Sequence, residues 1–161
     1  MRVGARIEIT APIDKVWSIV SDPACALRYM SGVTRWEVAG DQPTGLGARY
    51  RVLLRVGSAE VGGLIEVVES HEPFDLAWTS VTGIDQRGRF RLRDAGGGRT
   101  RVELRLAYGV AGSGLSGWLA ERIAAPTVSG HLRRTLQQLK RLVEYELLRE
   151  RAAARKAARA S

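Results

Sequence analysis

Cysteine is almost absent from this chain, with Cys25 the only one in 161 residues. No internal disulfide can form, and zinc sites built on cysteine are excluded. Histidine is nearly as scarce: His71 and His131 lie far apart, and no carboxylate cluster has ligand spacing. Neither a metal nor any other cofactor is therefore expected. No apolar run approaches the ~20 residues of a membrane-spanning helix. The first residues, Met1-Arg2-Val3-Gly4-Ala5-Arg6, put arginine where a signal peptide needs an unbroken apolar stretch, so a cytoplasmic protein is expected. There is no Gly-x-Ser-x-Gly elbow, no Walker phosphate loop, and no histidine near Cys25 in sequence. Gly96-Gly97-Gly98 joins two strands rather than a strand and a helix, which makes it a hairpin turn.

What is present suits one domain with a substantial core. Hydrophobic residues make up 45% and charged residues 26%, ordinary values for a globular protein. The net charge of +8 is carried almost wholly by arginine, since Lys15, Lys140 and Lys156 are the only lysines. Such a charge raises nucleic acid or an anionic membrane as partners.

Periodicity divides the chain. Val3, Ala5, Ile7 and Ile9 alternate with polar residues, the pattern of a half-buried strand. Pro12 sits at a helix start, followed by Ile13, Val16, Trp17 and Val20 at helical spacing. Asp22 is the expected N-cap of a second short helix running to about Tyr29. From Val33 to Ala111 the period is two, punctuated by turns at Gly57-Ser58, His71-Glu72-Pro73, Thr82-Gly83 and 94–98. Gly62-Gly63, inside one of these strands, suggests a bulge or bend. Strands in succession with short turns and no interposed helix imply an antiparallel meander. From about Leu115 the chain turns helical, with Leu132, Leu136, Leu139, Val143 and Leu147 on one stripe. Pro126 should kink or break that helix. Residues 1–147 are read as the domain. Residues 148–161 are read as a basic Ala/Arg-rich tail, either a helix extension or disordered.

In this order of elements, several stretches resemble the START-like superfamily, specifically its bacterial polyketide cyclase/dehydrase group. They are Ile7-Glu8-Ile9-Thr10-Ala11-Pro12-Ile13-Asp14-Lys15-Val16-Trp17, then Ser21-Asp22-Pro23, and Val67 through Trp78. Gly98-Arg99-Thr100-Arg101-Val102 and Leu132 through Glu144 complete the match. The resemblance implies an α+β helix-grip fold, in which a curved antiparallel sheet of about seven strands wraps a long C-terminal helix. It also implies a ligand cavity between the concave face and that helix, without implying one chemistry.

A cleft of that kind is apolar with a few polar groups. Its expected lining on the strands is Tyr50, Trp78, Phe90 and Tyr108, with Val52, Leu54, Leu104 and Leu106 on the same faces. On the helix it is Ile123, Thr127, Gly130, His131 and Thr135, where missing bulk at Gly130 leaves room. His131 could take part in recognition or acid–base work. Glu66 and Glu69 could do so only if the Gly62-Gly63 irregularity turned one inward. No pair of groups is singled out, so no catalytic residue is assigned.

Three functions stay open on these grounds. The first is binding of a small hydrophobic molecule, lipid- or polyketide-like. The second is an aromatase/cyclase or dehydratase acting on a polyketide-like substrate. The third is a regulatory interaction protein using its basic surface. The arginines at positions 2, 6, 49, 51, 55, 89, 91, 93, 101 and 105 should share the outer sheet face, but aromatic platforms are missing there, which argues against nucleic acid. The tail (Arg149, Arg151, Arg155, Lys156, Arg159) offers a weak contact for anionic lipid headgroups. Monomer and homodimer are both compatible with the sequence.

Overall fold

The alternating stretches become one seven-stranded antiparallel sheet in a computed structural model that describes residues 1–109 and 115–160, the side chains of 115–125 lying outside the described residues. The strands are β1 (Arg2–Ile9), β2 (Val33–Ala39), β3 (Arg49–Val56), β4 (Ala59–His71), β5 (Asp75–Ser80), β6 (Gln86–Gly96) and β7 (Arg99–Tyr108). Their spatial order is β1-β7-β6-β5-β4-β3-β2. Strands β2 to β7 are thus a meander, and β1 closes onto the last strand, with Ile9 opposite Thr100 and Arg2 opposite Ala107. Two short helices follow β1, α1 (Ile13–Val20) and α2 (Ala26–Tyr29), joined through a 3-10 turn at Pro23–Cys25. Asp22 caps that turn by accepting from the Ala24 N–H at 2.9 Å. The long helix α3 runs from Leu115 to Ala160.

The inward halves of the alternations make the core. Ile9, Phe90, Leu92, Val102 and Leu104 face Leu132, Leu136, Leu139 and Val143 of α3, all of them buried. Burial of each such side chain stabilises by roughly 1.5–3 kcal/mol before entropy is counted. The outward halves carry arginine, largely neutralised in cross-strand pairs: Arg6 with Glu103 at 2.9 Å, Arg49 with Glu66 at 2.8 Å, and Arg93 with Asp75 at 3.1 Å.

Two local expectations each lose one of their alternatives. Gly62-Gly63 is not a bulge, because the register runs on unbroken through Leu53–Gly62 and Val52–Gly63. Glycine is needed there for close backbone approach: a Cβ at Gly62 would lie 2.0 Å from the Val52 carbonyl oxygen, and one at Gly63 2.1 Å from that of Thr82. The irregularity falls instead between Val67 and Glu69. It leaves Val68 exposed, while Glu66 and Glu69 point outward to Arg49 and Arg89. Of the kink or break expected at Pro126, the break is absent: the last helix is continuous through it. Pro126 is exposed, so water can take the carbonyl that a proline leaves unbonded. The helix also continues through the basic tail, whose residues from Leu148 to Ala160 are all exposed. The last strand ends at Tyr108; Val110 and Ala111, expected in it, lie outside the described residues.

Candidate functional site

The site begins with a turn. After α2 the chain must reverse into β2, and Gly32 supplies the positive φ (+80°) that this reversal needs. The turn is held from both sides. Arg55 N–H of β3 donates to the Gly32 carbonyl at 2.7 Å, and the Ser31 N–H donates to Thr135 Oγ1 of α3 at 2.9 Å. Ser31 Oγ lies 3.3 Å from His131 Nδ1, one helical turn before Thr135. A polar cluster drawn from residues a hundred or more positions apart in sequence is thereby pinned between sheet and helix.

Two adjoining hollows lie beside this cluster, sharing Leu54, Val61, Gln86 and Leu106 as common walls. The outer hollow, of about 240 Å³, is walled mainly by Val56, Val61, Ile84, Tyr108 and Val128. The inner one, of about 50 Å³, is bounded by Val52, Trp78, Leu104 and Leu132 together with the polar side chains Ser31, Trp36, Gln86, His131 and Thr135. Both hollows are mainly apolar and can hold a hydrocarbon body, and the few polar side chains at the inner one can orient it by hydrogen bonds. Burial holds His131 below the usual imidazole range; the nearby Arg134 guanidinium pushes the same way, against an opposing contact with the Arg55 backbone. The ring is therefore neutral near pH 7 and can both donate and accept. The Trp36 Nε1–H is buried and finds no acceptor among the described residues.

The expected lining residues separate into those at the hollows and those elsewhere. Val52, Leu54, Trp78, Leu104, Leu106, Tyr108, His131 and Thr135 lie at the hollows. Phe90 is 2% exposed and sits in the solid core, packed between Trp78 and Tyr29. Tyr50 borders a separate hollow of about 30 Å³ beside Asp22, and its hydroxyl donates to the Pro43 carbonyl at 2.7 Å. Burial, then the Asp22 carboxylate, raises that hydroxyl above the usual tyrosine range. Thr127 and Gly130 border neither hollow; a Cβ at Gly130 would meet only Arg134 at 3.5 Å. Missing bulk at Gly130 is thus not what opens the space. Ile123 lies outside the residues whose side chains are described.

Ser31, Trp36 and Gln86 join the site without being among the expected residues. Trp36 could have been placed by register, since it faces Val52, an inward position. Gln86 could have been placed by alternation with Gly88, Phe90 and Leu92.

A larger depression of about 940 Å³ lies on the opposite, outer face, bordered by Arg2, Arg87, Arg89, Arg91 and Arg105. It is wide open to solvent. Arg89, Arg91 and Arg105 are already paired with Glu69, Asp75 and Glu103, so a small molecule would find there little enclosure and few free charges. Among the described residues no group of three or more His, Cys, Asp or Glu side chains could hold a metal ion, and no helix is long and apolar enough to cross a membrane.

The sequence matches the family described as polyketide cyclase / dehydrase and lipid transport over residues 1–144. No curated protein matches it significantly. Among solved structures, TTHA0849 from Thermus thermophilus superposes with a TM-score of 0.79 at 22% identity, covering 91% of this chain and 99% of that one. The Zhui aromatase/cyclase from Streptomyces sp. R1128 gives a TM-score of 0.77 at 16% identity, covering 91% and 95%. A START superfamily protein from Mycobacterium smegmatis gives 0.67 at 17%, covering 89% and 97%. At these identities the likeness is one of fold.

Proposed function

The chain belongs to the polyketide cyclase / dehydrase and lipid transport family, and on that premise we propose that it binds a small hydrophobic molecule in the space between the sheet and α3. The observation that carries this reading is the pair of adjoining hollows, both mainly apolar, with Ser31, His131 and Thr135 among the walls of the inner one. The outer volume of about 240 Å³ is just below the roughly 300–1,000 Å³ usual for drug-sized ligands. It suits a single medium-length chain or a one- or two-ring molecule better than a two-chain lipid.

The test is titration with a fluorescent medium-chain probe on the wild type and on Val61→Trp, a change that fills both hollows from their shared wall. Saturable binding by the wild type and at least tenfold weaker binding by the variant, with unchanged circular dichroism, is expected. Equal binding by the two proteins would overturn the assignment of the site.

A second reading is an enzyme, an aromatase/cyclase or dehydratase on a polyketide-like substrate. It is favoured by one specific contact, the 3.3 Å approach of Ser31 Oγ to the neutral His131 Nδ1 beside the apolar hollow. A neutral imidazole at that place can accept a proton from a bound molecule and return it. Tyr108, whose hydroxyl reaches Met1 Sδ at 3.5 Å, borders the other end of the space. Full turnover by both His131→Ala and Tyr108→Phe in a cyclase or dehydratase assay would remove these two residues from the chemistry.

A further inference from the structure

We infer that the inner hollow selects ligands with an uncharged oxygen at one end, a carbonyl or a hydroxyl, and rejects those with a carboxylate. This rests on the binding reading above and adds to it a ligand class. Among the described residues, neither hollow has a lysine, arginine, aspartate or glutamate in its walls. A carboxylate brought into such a space would lose its hydration without gaining a counter-ion, which costs far more than a neutral head does. The arginines of the strands do not help, because they stand on the outer sheet face, where many are already paired with carboxylates. Arg134, which acts on His131, is exposed and donates to the Gly130 carbonyl of its own helix at 3.4 Å.

The inner hollow nevertheless offers hydrogen bonds. Trp36 Nε1–H is a buried donor with no acceptor among the described residues. Trp36 is one of the walls of this hollow, so an oxygen that comes within reach of its indole N–H would satisfy a donor otherwise left unpaired. Gln86 belongs to both hollows, and no described residue hydrogen-bonds its side-chain amide. Ser31 and neutral His131 each donate or accept as the partner requires. A site equipped in this way discriminates strongly against a molecule of the same shape that lacks the oxygen, because its own polar groups then stay unpaired. The outer hollow, walled by Val56, Ile84 and Val128, supplies the apolar contact for the rest of the molecule.

The experiment compares three probes with one hydrocarbon body, namely 2-undecanone, n-undecane and undecanoate, at pH 8, where the acid is ionised. Binding is read by displacement of a fluorescent medium-chain probe and by the summed emission of the four tryptophans. The expected result is that 2-undecanone binds at least tenfold tighter than either of the others. Trp36→Phe and Gln86→Leu should each narrow the gap in affinity between the ketone and the hydrocarbon. Undecanoate binding as tightly as the ketone would overturn the inference and leave the cavity reading standing. So would a ketone preference that survives both substitutions. Failure of all three probes, and of the fluorescent one, would overturn the cavity reading and this inference together. The wild-type ranking does not depend on either variant folding.

Discussion

The imidazole of His131 lies across Gly32, so closely that a Cβ on Gly32 would come within 2.5 Å of His131 Cε1 and 2.6 Å of Nδ1. The glycine therefore serves the turn twice. It adopts the positive φ of +80°, and it leaves the flat space that the ring occupies. Gly32→Ala should cost about 1–3 kcal/mol for the backbone and about as much again for the collision. In a His131→Ala background only the backbone part should remain. Denaturant unfolding of the four proteins measures the coupling. Equal costs in both backgrounds would mean that ring and glycine do not compete for this space.

His131 also makes stability depend on pH. Its pKa is held below the usual 6.5 by burial and by Arg134, so the unfolded chain takes up the proton first as pH falls. The contribution of neutral His131 is full above about pH 6.5 and is lost as pH drops through the lower, folded-state value. Carboxylates such as Glu103 act in the same direction at lower pH: burial raises it, but Arg6 and Arg105 outweigh that and hold it below the usual range. Comparison with His131→Gln isolates the histidine. Melting temperatures between pH 7.5 and 5.5 should fall less steeply in the variant than in the wild type, and parallel curves would contradict the assignment.

The sheet and the long helix are legible because periods of two and of three to four report burial directly. Tyr50, Val52 and Leu54 face inward as their alternation requires. The hollows are less legible, because alternation says which face a residue takes and not whether that face is filled. Phe90 and Leu104 share the inward face, yet Phe90 is locked in core while Leu104 borders the inner hollow. The Ser31–His131 contact spans 100 positions and depends on how β2, β3 and α3 meet. Nothing local to Ser31 signals it. The glycine pair at 62–63 shows the reverse error, since a bulge and a close backbone approach leave the same mark in a sequence.

One buried hydroxyl helps to fix the connection between β1 and α1, where the Thr10 N–H also donates to Glu144. Thr100 is fully buried, and its Oγ1–H donates to the Ala11 carbonyl at 2.8 Å, where Ala11 is also fully buried. Thr100→Val keeps the shape and removes the donor, leaving that carbonyl unmet. A loss of about 1–3 kcal/mol is expected by denaturant unfolding. Thr100→Ser, which keeps the donor, should recover the hydrogen-bond part of it. No difference between the valine and serine variants would show that the bond is not what holds the segment.

The end of α3 should contribute little to the fold. Beyond Leu148 every described residue is exposed, and the ion pair of Glu150 with Lys15 ties the segment back to the domain. Glu150 is 59% exposed, and pairs in that setting contribute about 0–1 kcal/mol. A chain ending at Leu148 should unfold within about 1 kcal/mol of the full chain. A larger loss would mean that residues 149–160 pack against something in solution, a second copy being the first candidate to test by sedimentation.

The inner hollow is shaped by a second glycine as well. Trp78 stands opposite Gly88 in the sheet, and its ring lies over that glycine: a Cβ at Gly88 would fall 2.0 Å from Trp78 Cζ2 and 2.1 Å from Cε2. Backbone conformation does not require glycine here, since the φ of Gly88 is not positive. The requirement is space for the indole. Gly88→Ala must therefore displace the ring, and Trp78 is also a wall of the inner hollow, so the displacement alters the volume available to a ligand. Overpacking of this kind costs about 1–3 kcal/mol. Ligand affinity should fall with it, together with a shift in tryptophan emission. Trp78→Leu in the Gly88→Ala background frees the space that the methyl group needs and should restore most of the stability. It should not restore the emission shift, because the reporting indole is gone. Were Gly88→Ala to leave stability and binding at wild-type values, the ring would have another place to go at no cost. Trp78 would then not be a fixed wall of the site.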